Sequence, residues 1–201
     1  MPRTGGAAPR PHTGRRRNEA ARQAILAAAA DLVGRPGAEL TVDAIAAAAG
    51  VGKQTIYRWW PSKYAILLEA MVERARAVVP VPDTGTLDGD LTAFLEATFA
   101  GARERHTASM LRTLMAEAQR DPKAAGVLRE FTEARRAALR DVVERGRERG
   151  ETAPDADLDL LVEQVFGVLW YRIMVGHAAL DAASARRLAA ALLRQVARLP
   201  E

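Results

Sequence analysis

Between Asn18 and Leu199 the apolar residues return every three or four positions, and no stretch alternates apolar with polar as a half-buried strand does. That periodicity predicts an all-α fold. The first stripe, Ile25, Ala29, Leu32 and Val33, is stopped by Gly34 and Gly37. Thr41 is a good N-cap for a helix of about eight residues that carries Val42, Ile45, Ala46 and Ala49 and ends at Gly50. After Gly50-Val51-Gly52, a third short helix spans Lys53 to Trp60, with Ile56 and Trp60 on one face and Pro61 as its stop. Ser62 caps a fourth, whose stripe of Tyr64, Leu67, Leu68, Met71, Val72 and Ala75 runs to the linker Pro80-Val81-Pro82-Asp83-Thr84-Gly85.

Five more helices follow in the pattern. Thr86 caps one with Leu87, Leu91, Phe94 and Leu95; a second, about 107–120, carries Met110, Leu111, Leu114 and Met115. A third runs from Pro122 to near Arg149, with Leu128, Phe131, Leu139 and Val142 inside and the i,i+4 pairs Arg129/Glu133, Arg140/Glu144 and Asp141/Arg145 outside. Asp157 caps the next, to Gly176, in which Val162, Val165, Phe166, Val168, Leu169, Trp170, Tyr171, Ile173 and Met174 point in every direction. A helix apolar all round must be buried all round, and in so small a body its outer side needs a second chain. Asp181 caps the last, 182–199, with Leu188, Leu192, Val196 and Leu199 on one stripe. A homodimer interface is therefore expected at Val162, Leu169, Ile173, Leu188, Leu192 and Val196.

Composition removes several classes. The chain of 201 residues has no cysteine, which excludes disulfides, thiolate zinc sites and cysteine nucleophiles and suits a reducing compartment such as the cytoplasm. Its histidines, His12, His106 and His177, are too far apart for an H-E-x-x-H pair, so no metal or other cofactor is expected; His106, at a helix end, suits the helix dipole. No apolar run reaches the roughly 18 residues of a membrane span. Residues 1–63 hold ten Lys/Arg against four acids, whereas 64–201 hold nineteen against twenty-one, so a basic head precedes a near-neutral body. Residues 1–16 mix Pro, Gly and Arg without an apolar stripe; they read as a flexible basic tail and not as a signal peptide. Arg15, Arg16 and Arg17 are placed to lie along phosphates or in a minor groove.

The most specific local signal is 41–63, TVDAIAAAAGVGKQTIYRWWPSK: a capped short helix, a three-residue turn with glycine, a second short helix and a proline stop. That is helix-turn-helix spacing, in which one helix braces the other so that its polar N-terminal residues enter a major groove. Tyr57, Trp59, Trp60 and Tyr64 crowd four aromatics into the same stretch. The fragment Gly50-Val51-Gly52-Lys53 is not a phosphate loop, because Ala47 and Gln54 stand where G-x-x-x-x-G-K-[ST] requires Gly and Ser/Thr, and no strand precedes it.

On these residues the chain resembles the TetR family of transcriptional regulators. Thr41, Ile45, Ala46, Ala49, Gly50, Val51, Ile56, Tyr57, Lys63 and Leu67 match that family's signature in order and spacing. Gly52 replaces the usual Ser, and Trp60 replaces Phe as the buried anchor. The resemblance covers about 17–75, and more weakly the stretch GVLWYRIMVGHAALD from Gly167 to Asp181. It implies that Lys53, Gln54, Thr55, Arg58 and Trp59 face the groove, with Thr41, Tyr57 and Lys63 on phosphates. Their chemistry agrees: Arg58 can pair with guanine, Gln54 with adenine, and Thr55 can touch a thymine methyl.

The expected architecture is a helix-turn-helix head over 17–63, a connecting helix over 64–80 and a ligand-binding and dimerisation body over 86–199. Phe94, Met110, Met115, Phe131, Phe166 and Trp170 are candidates to line an effector pocket between helices, although the same spacing serves plain core. The resemblance implies a homodimeric repressor that binds a double-stranded palindromic operator and is released by a small molecule. An architectural DNA-binding protein would share the head but need no pocket. An enzyme would need a polar catalytic constellation in the body, and none is visible.

Overall fold

A computed structural model describes residues 13–35, 39–78 and 81–197. Among these the chain forms α1 (Thr13–Gly34), α2 (Val42–Ala49), α3 (Lys53–Tyr57), α4 (Lys63–Val78), α5 (Leu87–Arg103), α6 (Arg105–Ala118), α7 (Pro122–Glu148), α8 (Leu158–Val175) and α9 (Ala182–Val196). There is no sheet among them; a single antiparallel bridge pairs Thr152 with Ala197.

The predicted starts are made by the predicted side chains. Thr41 Oγ1 accepts from Ala44 N at 3.1 Å, Ser62 Oγ from Ala65 N at 3.2 Å and Thr86 Oγ1 from Gly89 N at 3.1 Å. Asp157 and Asp181 accept likewise from Leu160 N at 2.9 Å and Ser184 N at 2.8 Å. Each satisfies one orphan donor of a first helical turn. Gly50 closes α2 at φ 66°, in the left-handed region that glycine enters without steric cost.

Several boundaries differ from the sequence reading. α1 begins at Thr13 rather than Asn18, because a polar turn rich in arginine can be helical without an apolar stripe to announce it. α3 is shorter than expected, ending at Tyr57, and Arg58 and Trp59 form a turn that leads through Trp60 to Pro61. α6 starts two residues earlier than predicted, at Arg105. α9 stops at Val196, where Ala197 enters its bridge. Leu199 and residues 1–12 lie outside the described residues.

In the head, α1 packs on α2 and α4, and α2 on α3, around Ile25, Ala29, Ile45, Ile56, Ile66 and Leu67. The body packs α5 on α9 and α7, and α7 on α6 and α8. Gly146 permits one close crossing: a Cβ there would stand 2.8 Å from Leu87 Cδ1. The three i,i+4 pairs expected along α7 do not form. Arg140 reaches Asp159 of α8 at 2.7 Å, Arg145 turns inward to Asp90, and Glu144 pairs with Arg147 at 2.5 Å.

Asp90 is fully buried and fastens the linker and the start of α5 to the end of α7. Its Oδ1 accepts from Thr84 N at 2.5 Å and Thr84 Oγ1 at 2.8 Å, and its Oδ2 from Arg149 Nη2 at 3.2 Å. Burial alone would raise its pKa, but the Thr84 and Arg149 hydrogen bonds outweigh burial and hold it below the ordinary aspartate value. A depressed folded pKa contributes stability that is complete above the unfolded value, near pH 4, and lost as pH falls through the lower folded one. Asp90→Asn should therefore cost on the order of 2–3 kcal/mol at neutral pH and flatten the acid limb of a stability–pH profile. An acid limb identical to that of the parent chain would show that this carboxylate is not what titrates.

Candidate nucleic-acid interface and effector cavity

α3 is presented by two fixed points. Ile56 is fully buried beneath it, and Trp60, just after it, is 3% exposed with its indole Nε1 donating to Glu69 Oε2 at 2.5 Å. Arg22 of α1 holds the same carboxylate, donating from Nε to Glu69 Oε1 at 2.7 Å, and also reaches Glu73. These carboxylates raise the Arg22 pKa above its usual value, the hydrogen bond with Glu73 contributing most. The head is thus bolted to α4 through one arginine and one tryptophan. Sequence reasoning missed Arg22, whose partners on α4 lie 47 and 51 residues away along the chain.

At about 100° per residue, Gln54 and Arg58 lie about 160° around from Ile56, so both point away from the core. Both are exposed, as are Lys53 and Tyr57, whereas Thr55 is half-buried. Lys53 pairs with Asp43 of α2. The Arg58 guanidinium lies 5.1 Å from the Trp59 ring centre, and Trp59 in turn meets Trp60 edge-on at 5.5 Å. Trp59, expected in the groove, is therefore half-buried and packs against Trp60 while supporting Arg58. Thr41 uses its oxygen as the α2 cap and keeps its O–H free to donate. Lys63 starts α4 with Nζ 4.9 Å from the Tyr64 ring centre. The backbone of Arg15, Arg16 and Arg17 is helical; their side chains lie outside the described residues. One solvent-facing surface thus carries Lys53, Gln54, Tyr57 and Arg58.

A cavity of about 70 Å³ sits between α4, α5, α6, α7 and α8. As it stands it holds a few waters, and a larger guest has to spread the helices around it. Met110, Phe131, Phe166 and Trp170 line it, as expected; Phe94 and Met115 do not. Phe94 is fully buried one layer behind, and Met115 is half-buried elsewhere on α6. The polar part of the wall, Arg74, Thr98, Thr107, Thr132 and Arg135, was not anticipated. Phe131 and Arg135 are one turn apart on α7, but only packing shows that Arg135 turns inward.

The expected dimer residues need correction. Val162, Leu169, Ile173, Leu192 and Val196 are buried within the single chain and Leu188 is half-buried, so these faces are occupied by intrachain packing. Leu169 also lines the cavity. What α8 leaves exposed is its other side: Leu160, Tyr171, Met174 and Val175, each between 47% and 59% exposed. An all-round apolar helix does not disclose which side its own chain takes.

A three-helix head with a braced, cation-bearing helix, set on a helical body with a cavity between its helices, defines a helix-turn-helix DNA-binding regulator. Residues 25–70 match the family model for bacterial regulatory proteins of the tetR family, and residues 81–192 that for the tetracyclin repressor-like C-terminal domain. The chain belongs to the TetR family of transcriptional regulators. It is 34% identical over 166 residues to the HTH-type transcriptional regulator YdeS of Bacillus subtilis (strain 168), covering 81% of this chain and 82% of that one. It is 31% identical over 137 residues to the HTH-type transcriptional regulator AqdR of Rhodococcus erythropolis, covering 68% and 65%. Among solved structures it superposes on the TetR family transcription regulator SCO0332 with a TM-score of 0.72 and 32% identity, covering 89% of this chain and 99% of that one.

Proposed function

We propose that this regulator is a non-catalytic cytoplasmic repressor: a homodimer binds a palindromic operator through its two α3 helices, and a small molecule in the cavity releases it. The carrying observation is that α4 serves both ends. Its Glu69 and Glu73 hold Arg22 and Trp60 of the head, while its Met71, Arg74 and Ala75 wall the cavity. Filling the cavity has to displace α4 or its neighbours, and α4 carries the head with it. Two heads fit successive major grooves at only one separation, so a tilt weakens operator binding. The outer face of α8, at Leu160, Tyr171, Met174 and Val175, supports pairing of two chains.

The direct test compares Arg58→Ala with Tyr57→Phe on operator and scrambled duplex at one salt concentration. Arg58→Ala should cost about 1–3 kcal/mol on the operator and far less on scrambled DNA, because a base-edge contact is lost. Tyr57→Phe removes only a hydroxyl donor, so affinity should fall by a similar factor on both duplexes. Equal weakening of both duplexes by Arg58→Ala would make Arg58 a phosphate contact and rotate the groove assignment of α3.

A further inference from the structure

Two guanidinium groups stand on the cavity wall, and only one is neutralised. Arg74 of α4 pairs with Glu104, and its Nε donates to Thr107 Oγ1 at 2.9 Å. Arg135 of α7 has no carboxylate partner among the described residues. Its Nη2 donates to Thr98 Oγ1 at 3.3 Å, and its Cζ lies 5.0 Å from the Phe94 ring centre. Burial, unopposed by any anion, pushes its pKa below the ordinary arginine value. The contrast lies along the same helix: Arg136 meets Glu163, Arg140 meets Asp159 and Arg145 meets Asp90. Arg135, unlike these three, has no acid to meet among the described residues, and the apolar part of the wall beside it includes Met110, Leu111, Phe131, Phe166, Leu169 and Trp170.

A partly desolvated cation beside an apolar cavity is costly unless something of opposite charge enters. A carboxylate meets a guanidinium fork in two parallel hydrogen bonds, and Thr98 and Thr132 add hydroxyls to the same wall. A phosphate dianion would call for more donors than one free guanidinium. We infer that the effector, taken on the reading that this cavity is the effector site, is an organic acid whose single carboxylate is held by Arg135 and whose hydrocarbon or aromatic body lies against Phe131, Phe166 and Trp170.

The experiment uses the full chain and two matched probe sets: octanoate, octanamide and octylamine; 3-phenylpropionate, 3-phenylpropionamide and 3-phenylpropylamine. Calorimetry reads binding, and fluorescence anisotropy reads operator release, in the parent chain, Arg135→Met and Arg135→Lys. At least one carboxylate should bind at least about tenfold more tightly than its amide and amine, as a charged hydrogen-bonded pair requires. Arg135→Met should erase that preference, and Arg135→Lys should keep part of it. Should Arg135→Met not fold, the selectivity of the parent chain and of Arg135→Lys still decides. An amide or amine that binds as tightly as its acid, a carboxylate preference that survives in Arg135→Met, or no binding by any probe at millimolar concentration overturns the inference. A neutral or cationic probe that binds and releases the operator would do so while leaving the proposed regulation intact. Selective acid binding that leaves operator affinity unchanged would instead uphold the acid site and sink the regulation.

Discussion

Leu192→Glu should abolish the folded state rather than separate two folded chains. Leu192 is 2% exposed on the side of α9 that packs against α5, so the substitution both removes buried hydrocarbon and places an unpaired carboxylate in the core. Such a change costs more than about 4 kcal/mol, a large part of the stability of a domain this size. Tyr171→Glu, by contrast, changes a side chain 59% exposed on the outer side of α8. It should keep the helical circular dichroism of the parent and shift the sedimenting species from dimer to single chain at micromolar concentration. A helical, single-chain Leu192→Glu would return Leu192 to the interface. An undisturbed Tyr171→Glu dimer would show that the outer face of α8 is not where two chains meet.

Salt should have a still larger effect on operator binding. If each head neutralises about four phosphates with lysine and arginine side chains such as Lys53 and Lys63, about eight counterion sites are released and log K falls against log salt with a slope near −7. Between 50 and 200 mM salt, that slope corresponds to a loss of about 10⁴-fold in affinity. Anisotropy titrations across that range measure it directly. A slope near zero would contradict a basic head working on DNA. The Lys53–Asp43 pair bears on the value: both side chains are more than half exposed, so the pair is weak in water, and Asp43→Asn should leave the slope almost unchanged.

Much of this fold was legible because its start signals are local. Thr41, Ser62, Thr86, Asp157 and Asp181 each lie within three residues of the N–H they accept from, so spacing alone finds them. The exposed character of Gln54, Tyr57 and Arg58 was legible for the same reason, since Ile56 fixes the buried side of α3. What the sequence hid depends on partners distant along the chain. Arg135 is one of many arginines on α7 until α5 supplies Thr98 and Phe94 beside it. Arg145 looked like a surface partner of Asp141 because nothing local reveals Asp90, more than fifty residues earlier. On α8 the apolar residues encircle the helix, so periodicity held no information about which side α6, α7 and α9 would cover.

One buried cluster runs without a break from Ile25, Ile45 and Ile56 through Ile66, Leu67 and Met71 of α4 to Phe94, Met110 and Leu169. α1 also packs on α6, where Ser109 Oγ donates to Val33 O at 2.9 Å. The head therefore owns no hydrophobic interior that closes without α4 and α6. A fragment ending at residue 63 would expose to water the side of α1 that α4 now covers. Melting of the intact chain should accordingly be a single cooperative event rather than two, and whatever tightens the body should also raise the temperature at which α3 loses its shape; two separated transitions in a calorimetric scan would show that the head melts on its own.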